Sequence, residues 1–201
     1  KRADVFKRLD EHQQNALLPA LAQAEREDIR LLSSYMEGTA GAIMSSEYAT
    51  LLPNMSVADA IKMLRSEAPD TETIYFAYVL DEARKLLGVL SLKQLILAQE
   101  DQNINELMVT NVLFAKVDAD QDDVAKTIAR YDLLALPIVD EQGIMVGIVT
   151  HDDAMDVARE EATEDFLKVG AVNAKSKLSL KSTPILHLYK NRVFWLVFLV
   201  F

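Results

Sequence analysis

Hydrophobic residues recur along this chain first at helical spacing and then in alternating helical and strand-like blocks. Over residues 3–36, Val5 and Leu9, then Leu17, Leu18 and Leu21, then Ile29, Leu31 and Leu32 stand among polar positions at the helical period, with Pro19 at a helix start or kink. These rows predict a short all-helical segment with too few apolar side chains for a core of its own. After Glu37-Gly38-Thr39 the pattern changes. A short helix over 40–44 leads to a strand-like 48–52, Pro53-Asn54 reads as a turn, and Ser56 caps a helix with Val57, Ala60, Ile61 and Leu64 on one face. Two β-rich runs, 74–80 and 86–91, joined by a hairpin at 81–85, and a helix over 92–98 close the unit.

The same order then returns, which says more about the organisation than any single element. Asn105-Glu106-Leu107-Met108 answers Ala42-Ile43-Met44, and the run at 124–128 answers that at 57–61. The strand pair at 136–140 and 145–150 answers the pair that ends in Leu87-Gly88-Val89-Leu90-Ser91. The expected fold class is a mixed α+β arrangement of two βαββα units of about 60 residues, burying their sheets against each other as one pseudo-symmetric module. The all-helical segment precedes this module and a connecting helix follows it.

Charge changes the picture next. The chain carries a formal net charge of −10 at pH 7, which argues against a nucleic-acid partner and for cations or basic partners. Residues 100–166 hold 17 of the 31 acids against four Lys or Arg, a local balance of −13. The densest stretch, 150–165, packs seven carboxylates against Arg159 alone. As a helix it sets Asp153, Asp156, Glu160 and Glu164 on one face, beside an apolar stripe of Met155, Ala158, Ala162, Phe166 and Val169. Like charges at that spacing repel until a divalent cation neutralises them. A hard divalent cation takes oxygen ligands and can keep several waters, so one or two carboxylates per ion suffice. A solvated acidic face is the plainer alternative.

Zero cysteines excludes disulfides and thiolate chemistry and fits a reducing compartment. Neither a phosphate-binding glycine loop nor a nucleophile elbow occurs. His151 beside Asp152 and Asp153 is an exposed helix-cap residue, since His12 and His187 have no spacing that brings them to it, and no enzyme activity is expected. Residues 175–192 carry Lys175, Lys177, Lys181, Lys190 and Arg192 with no acid, as an amphipathic element at the cytoplasmic membrane surface would. The run from Val193 is nine apolar residues where a spanning helix needs about 20. It reads as the truncated start of a first transmembrane helix, with a hydrophobic terminal strand or core helix as the alternative.

The stretch L-P-I-V-D-E-Q-G-I-M-V-G-I-V-T-H-D-D resembles a CBS domain, and the tandem resembles a Bateman module, a ligand-sensing regulatory unit. Three further stretches, A-G-A-I-M-S-S-E-Y at 40–48, A-P-D-T-E-T-I-Y at 68–75 and E-E-A-T-E-D at 160–165, are similar to the MgtE family of magnesium channels. So is R-V-F-W-L at 192–196, with Phe194 where that family has proline.

The resemblance implies the end of a helical N-terminal domain over 1–38, a first CBS domain over 39–101 and a second over 102–166. A connecting plug helix region over 167–192 and the start of a transmembrane helix over 193–201 would follow. It implies a homodimeric, magnesium-sensing region on the cytoplasmic face of a bacterial plasma membrane. In this reading Mg2+ at acidic CBS interfaces holds the dimer closed, and the plug helix passes that state to a transmembrane pore domain of the same chain. Carried over by position, the ion ligands are Asp122, the Ala129 carbonyl, Asp132, Asp153, Asp156, Glu161, Glu164 and Asp165. The alternative is an adenine-nucleotide sensor of another transporter. Nucleotide-binding CBS modules often place an Asp three residues after a Ser or Thr, which Thr150 and Asp153 satisfy, making ATP a second expected ligand. The first repeat offers Gln94 instead of that aspartate.

Overall fold

The computed structural model describes Phe6 and residues 9–17, 19, 21, 23–67 and 71–169. Helices α1 (Glu11–Leu17) and α2 (Gln23–Ser34) form the leading segment. The first repeat then runs α3 (Ala40–Ile43), β1 (Tyr48–Leu51), α4 (Val57–Glu67), β2 (Thr73–Leu80), β3 (Leu86–Ser91) and α5 (Leu92–Leu97). The second runs α6 (Ile104–Leu107), β4 (Ala115–Lys116), α7 (Gln121–Tyr131), β5 (Ala135–Val139), β6 (Met145–Thr150) and α8 (His151–Val169). The expected βαββα order is present twice. Two compact units divide the chain, Lys1–Ala154 and Met155–Phe201. Residues 170–201, with all but the first three residues of the expected plug helix region and with the apolar terminal run, lie outside the described residues.

Each repeat builds one three-stranded sheet, β1-β2-β3 and β4-β5-β6. The first two strands are parallel, with Leu51 opposite Val79 and Ala115 opposite Ile138, because a helix crosses over between them. The last two are antiparallel hairpins, with Val79 opposite Gly88 and Ile138 opposite Gly147. Both hairpins turn on an aspartate whose carboxylate accepts the N–H of the residue four on, Asp81 from Lys85 at 2.8 Å and Asp140 from Ile144 at 2.9 Å. The left-handed position of the second turn is Gly143 (φ 81°), but that of the first is Arg84 (φ 61°).

The repeats do not stand merely side by side, because each lends its leading turn to the other. Ala40 N–H donates to the Ala119 carbonyl, Gly41 N–H to Val117, and Ser45 and Ile148 exchange both backbone bonds at 2.7 and 2.9 Å. Reciprocally, Ile104 N–H donates to Met55, Asn105 N–H to Pro53, and Val89 and Val109 exchange both bonds at 3.0 and 2.9 Å. Ile104, wholly buried, therefore sits in the first repeat's core with Leu51, Val57, Val79, Leu90 and Leu95. A second cluster of Tyr78, Leu80, Met145 and Ile148 joins the two sheets. Its edge is Tyr48, whose ring meets Tyr78 edge to face at 6.1 Å.

This exchange corrects one reading of the repeat. Ser56, which accepts from Asp59 N–H at 3.1 Å, and Asp120, which accepts from Asp122 N–H at 2.8 Å, are equivalent entry caps. Each is bridged to the residue that precedes the other repeat's short helix, Ser56 to Asn103 and Asp120 to Thr39. Ala60 and Leu64 thus correspond to Val124 and Ile128, and the expected match of 57–61 to 124–128 is one helical turn out of register. Similar letters one turn apart point at the same core, so the apolar pattern alone could not fix the offset.

Two glycines admit the exchanged turns. A Cβ on Gly88 would lie 2.8 Å from Met108 Sδ and 3.0 Å from the Val109 carbonyl oxygen. One on Gly147 would lie 2.6 Å from Met44 Sδ and 2.9 Å from that of Ser45. Gly88→Ala and Gly147→Ala are each expected to cost about 1–3 kcal/mol by overpacking, read as a lower urea midpoint at unchanged slope. Burial pushes the phenols of Tyr78 and Tyr48 up, against the pull of Arg84 on Tyr48. A raised folded-state value means this stability is complete below the unfolded value near 10 and drains away as pH rises beyond it. Tyr78→Phe should therefore flatten the fall in thermal midpoint between about pH 9 and 11.

Candidate functional site

The acidic helix starts where β6 ends. Thr150 is 5% exposed, and its Oγ1 stands 2.5 Å from Asp152 Oδ1 and 2.8 Å from Asp153 Oδ2. A hydroxyl has one proton, so two carboxylates converge on one donor at the first turn of α8. The helix's unpaired N–H groups make this a favourable end for negative charge. His151 is the first residue of α8, half-buried rather than fully exposed, and its N–H donates to the Leu134 carbonyl at 3.0 Å.

The equivalent corner of the first repeat is closed. Gln94 Oε1 accepts from Ser91 N–H at 2.9 Å and Ser91 Oγ at 2.7 Å, while Ser91 Oγ accepts from Gln94 N–H at 3.2 Å. Gln94 Nε2 donates to the Leu107 carbonyl at 3.4 Å. The amide that takes the aspartate's place is engaged in a capping box and in holding the exchanged turn.

Helix α7 separates the other candidates. Asp122 lies in its first turn and Asp132 is its C-cap, ten residues on, which at 1.5 Å per residue is about 15 Å. These two cannot share an ion. Asp132 is left-handed (φ 53°), and its N–H and that of Leu133 both close on the Ile128 carbonyl. Among the described residues this leaves the carbonyl of the exposed residue Ala129 outside the helix's own bonding, one turn from the exposed residue Asp132. The pair offers two hard oxygens at one helix end.

In α8, Ala154 and Val157 are buried, whereas Ala158 and Ala162 are exposed, so the apolar stripe expected through Met155, Ala158 and Ala162 is displaced. Every residue from Ala158 to Thr163 is exposed, which is the full circumference of the helix. Asp156 pairs with Arg159 at 3.4 Å with both side chains mostly in solvent, a contact worth little. Glu160 and Glu161 are exposed, and the side chains of Glu164, Asp165, Phe166 and Val169 lie outside the described ones. Among the described residues no three acids or histidines form a metal-holding group. The described residues present single oxygens and pairs, which suits an ion that keeps its waters or is shared with another surface.

Residues 40–101 and 104–160 match the CBS domain family. The chain belongs to the CBS domain family. Within it this CBS pair is of the MgtE kind. It is 43% identical over 175 residues to the magnesium transporter MgtE of Thermus thermophilus, covering 87% of this chain and 39% of that one. It is 36% identical over 184 residues to the magnesium transporter MgtE of Bacillus subtilis, covering 92% and 40%. A crystal structure of the cytosolic domain of the Mg2+ channel MgtE in complex with ATP superimposes with a TM-score of 0.74 at 40% identity, covering 77% of this chain and 64% of that one. The chain spans about two fifths of the length of the curated relatives it matches.

One feature of the CBS pair has only a faint trace in the sequence. A cleft of about 390 Å3 on the first repeat is lined by polar residues alone, among them Glu47, Tyr48, Thr50, Glu67 and Arg84. Arg84 Nη2 donates to Tyr48 Oη at 2.9 Å, and Tyr48 Oη donates to the Met145 carbonyl at 3.0 Å. Met145 N–H returns a bond to the Arg84 carbonyl at 3.0 Å. The residue in the strained turn thus clasps the two repeats together. The signal was available as Arg84 aligned with Gly143.

Thr150→Val should lower stability by about 1.5–3 kcal/mol, the range for hydrogen bonds to charged groups, while Thr150→Ser should retain most of it. Urea unfolding of both variants checks this.

Proposed function

We propose that the chain is the magnesium-sensing regulatory region of a magnesium channel or transporter, on the cytoplasmic face of a bacterial plasma membrane. The carrying observation is the exposed, anionic stretch of α8, where Asp156, Glu160 and Glu161 face solvent with Arg159 as the cation among them. A helix polar all round, with like charges at neighbouring positions, has little to hold it in place unless those charges are neutralised.

The ligand oxygens are those of Asp122, Ala129, Asp132, Asp153, Asp156, Glu161, Glu164 and Asp165, in separate groups. Asp132 with the Ala129 carbonyl forms one, and the α8 acids form another. Bound Mg2+ supplies charge neutralisation and a rigid shell of waters between carboxylates. The carboxylates then hold acidic surfaces of a homodimer together through its CBS domains and keep the pore closed through the plug helix. When cytosolic magnesium falls, their repulsion spreads the dimer. Moving such an equilibrium from 1:99 to 99:1 takes about 5.5 kcal/mol of differential binding, more than one weak site supplies, so several sites acting together are required. Residues 175–192 would lie against the membrane surface, and the transmembrane pore domain is the partner in the same chain. The module is a regulator, without catalysis and without a nucleic-acid partner.

A second reading, adenine-nucleotide sensing, is favoured by the Thr150–Asp153 pair and by the ATP complex of the related cytosolic domain. The capping box at Gln94 confines it to the second repeat.

Millimolar magnesium is expected to slow proteolysis between residues 160 and 176, with Asp156→Ala and Glu161→Ala each weakening the protection. Digestion that is identical with and without the ion defeats the proposal. Calorimetry with Mg2+ and with ATP ranks the two signals, and heat from ATP alone would reverse their order.

A further inference from the structure

The residue that closes the leading helical segment is set where the first repeat's leading turn meets the second repeat. Tyr35, directly after α2, brings its ring against Gly41, where a Cβ would lie 2.7 Å from Tyr35 Cγ and 2.8 Å from Val117 Cγ2. Val117 belongs to the second repeat, and Gly41 N–H donates to its carbonyl at 2.9 Å. The Tyr35 phenol is pushed up by burial and by the charge of Asp140, which sits in the second repeat's hairpin. Gln121 N–H, at the start of α7, donates to the Gly38 carbonyl at 3.0 Å. Ser45 then joins Ile148 of β6, two residues before Thr150 and the acidic helix.

We infer that α2 and the turn 38–45 open and close as one unit with the second repeat, so that the segment before the tandem reads the state of the repeat that carries the acids. The link runs through the turn that the first repeat contributes and the second repeat holds. Proteins open in contiguous cooperative units defined by shared hydrogen bonds and packing, and here those bonds cross between repeats. The device works in both directions: a change at β6 loosens the footing of α2, and a pull on α2 is felt at β6. It stands on backbone bonds and packing and does not depend on which ligand the acids take.

Hydrogen exchange followed by mass spectrometry on the whole chain tests this. In Gly147→Ala, the 38–45 turn and α2 should exchange at least about tenfold faster, the factor carried by 1.4 kcal/mol. Strands β2 and β3 should keep their protection. Met44→Ala, which removes the side chain seated on Gly147 without any clash, should give the same pattern. Gly88→Ala should loosen 103–109 and spare 38–45. The inference is overturned if Met44→Ala leaves α2 unchanged, or if Gly88→Ala loosens α2 as much as Gly147→Ala does.

Discussion

Every other feature of this fold depends on one exchange: each repeat is completed by a short turn that the other supplies. A unit of about 60 residues buries too little apolar surface to be comfortable alone. The exchange places Ile104 and Met108 over one core and Met44 over the other, and it joins the sheets through Ser45–Ile148 and Val89–Val109. Because the contacts are reciprocal, neither repeat has a complete core without its neighbour. The pair is the folding unit, and the chain between the repeats is an internal segment of it rather than a linker.

Much of this was legible. β-rich runs on either side of Asp81 and Asp140, the second of each pair carrying Gly88 or Gly147, located four of the six strands and both hairpins. The exchange was not, because four-residue helices such as α3 and α6 look alike wherever they dock. The one-turn error in matching α4 to α7 has the same origin, since positions three apart on a helix face one core. On α8 the apolar letters Ala158 and Ala162 suggested a buried stripe, but alanine is small enough to sit anywhere, and Ala154 and Val157 take the buried places.

The site was legible in its letters and not in its geometry. Thr150 and Asp153 stood out through the resemblance to nucleotide-binding CBS modules, and the structure adds Asp152 on the same hydroxyl. Gln94 differed visibly from Asp153, yet only coordinates reveal that its amide is consumed in a cap and a turn contact. The two repeats have thus parted in role: the first spends its equivalent corner on structure, while the second leaves its carboxylates clustered and partly in solvent. Asp122 and Asp132, both carried over as ligands, prove to sit at opposite ends of one helix, a separation that a list of positions does not convey.

Asp132 has a last consequence. It caps the negative end of the α7 dipole with another negative charge, in a left-handed conformation that glycine or asparagine adopts more cheaply. Viewed as a stability problem it is a poor choice on both counts. A selection for thermostability alone would replace it with a neutral residue, and the variants so obtained would be firmer proteins with no carboxylate at that end. Under the proposed function, Asp132 is a place where fold and ion binding pull the sequence in opposite directions.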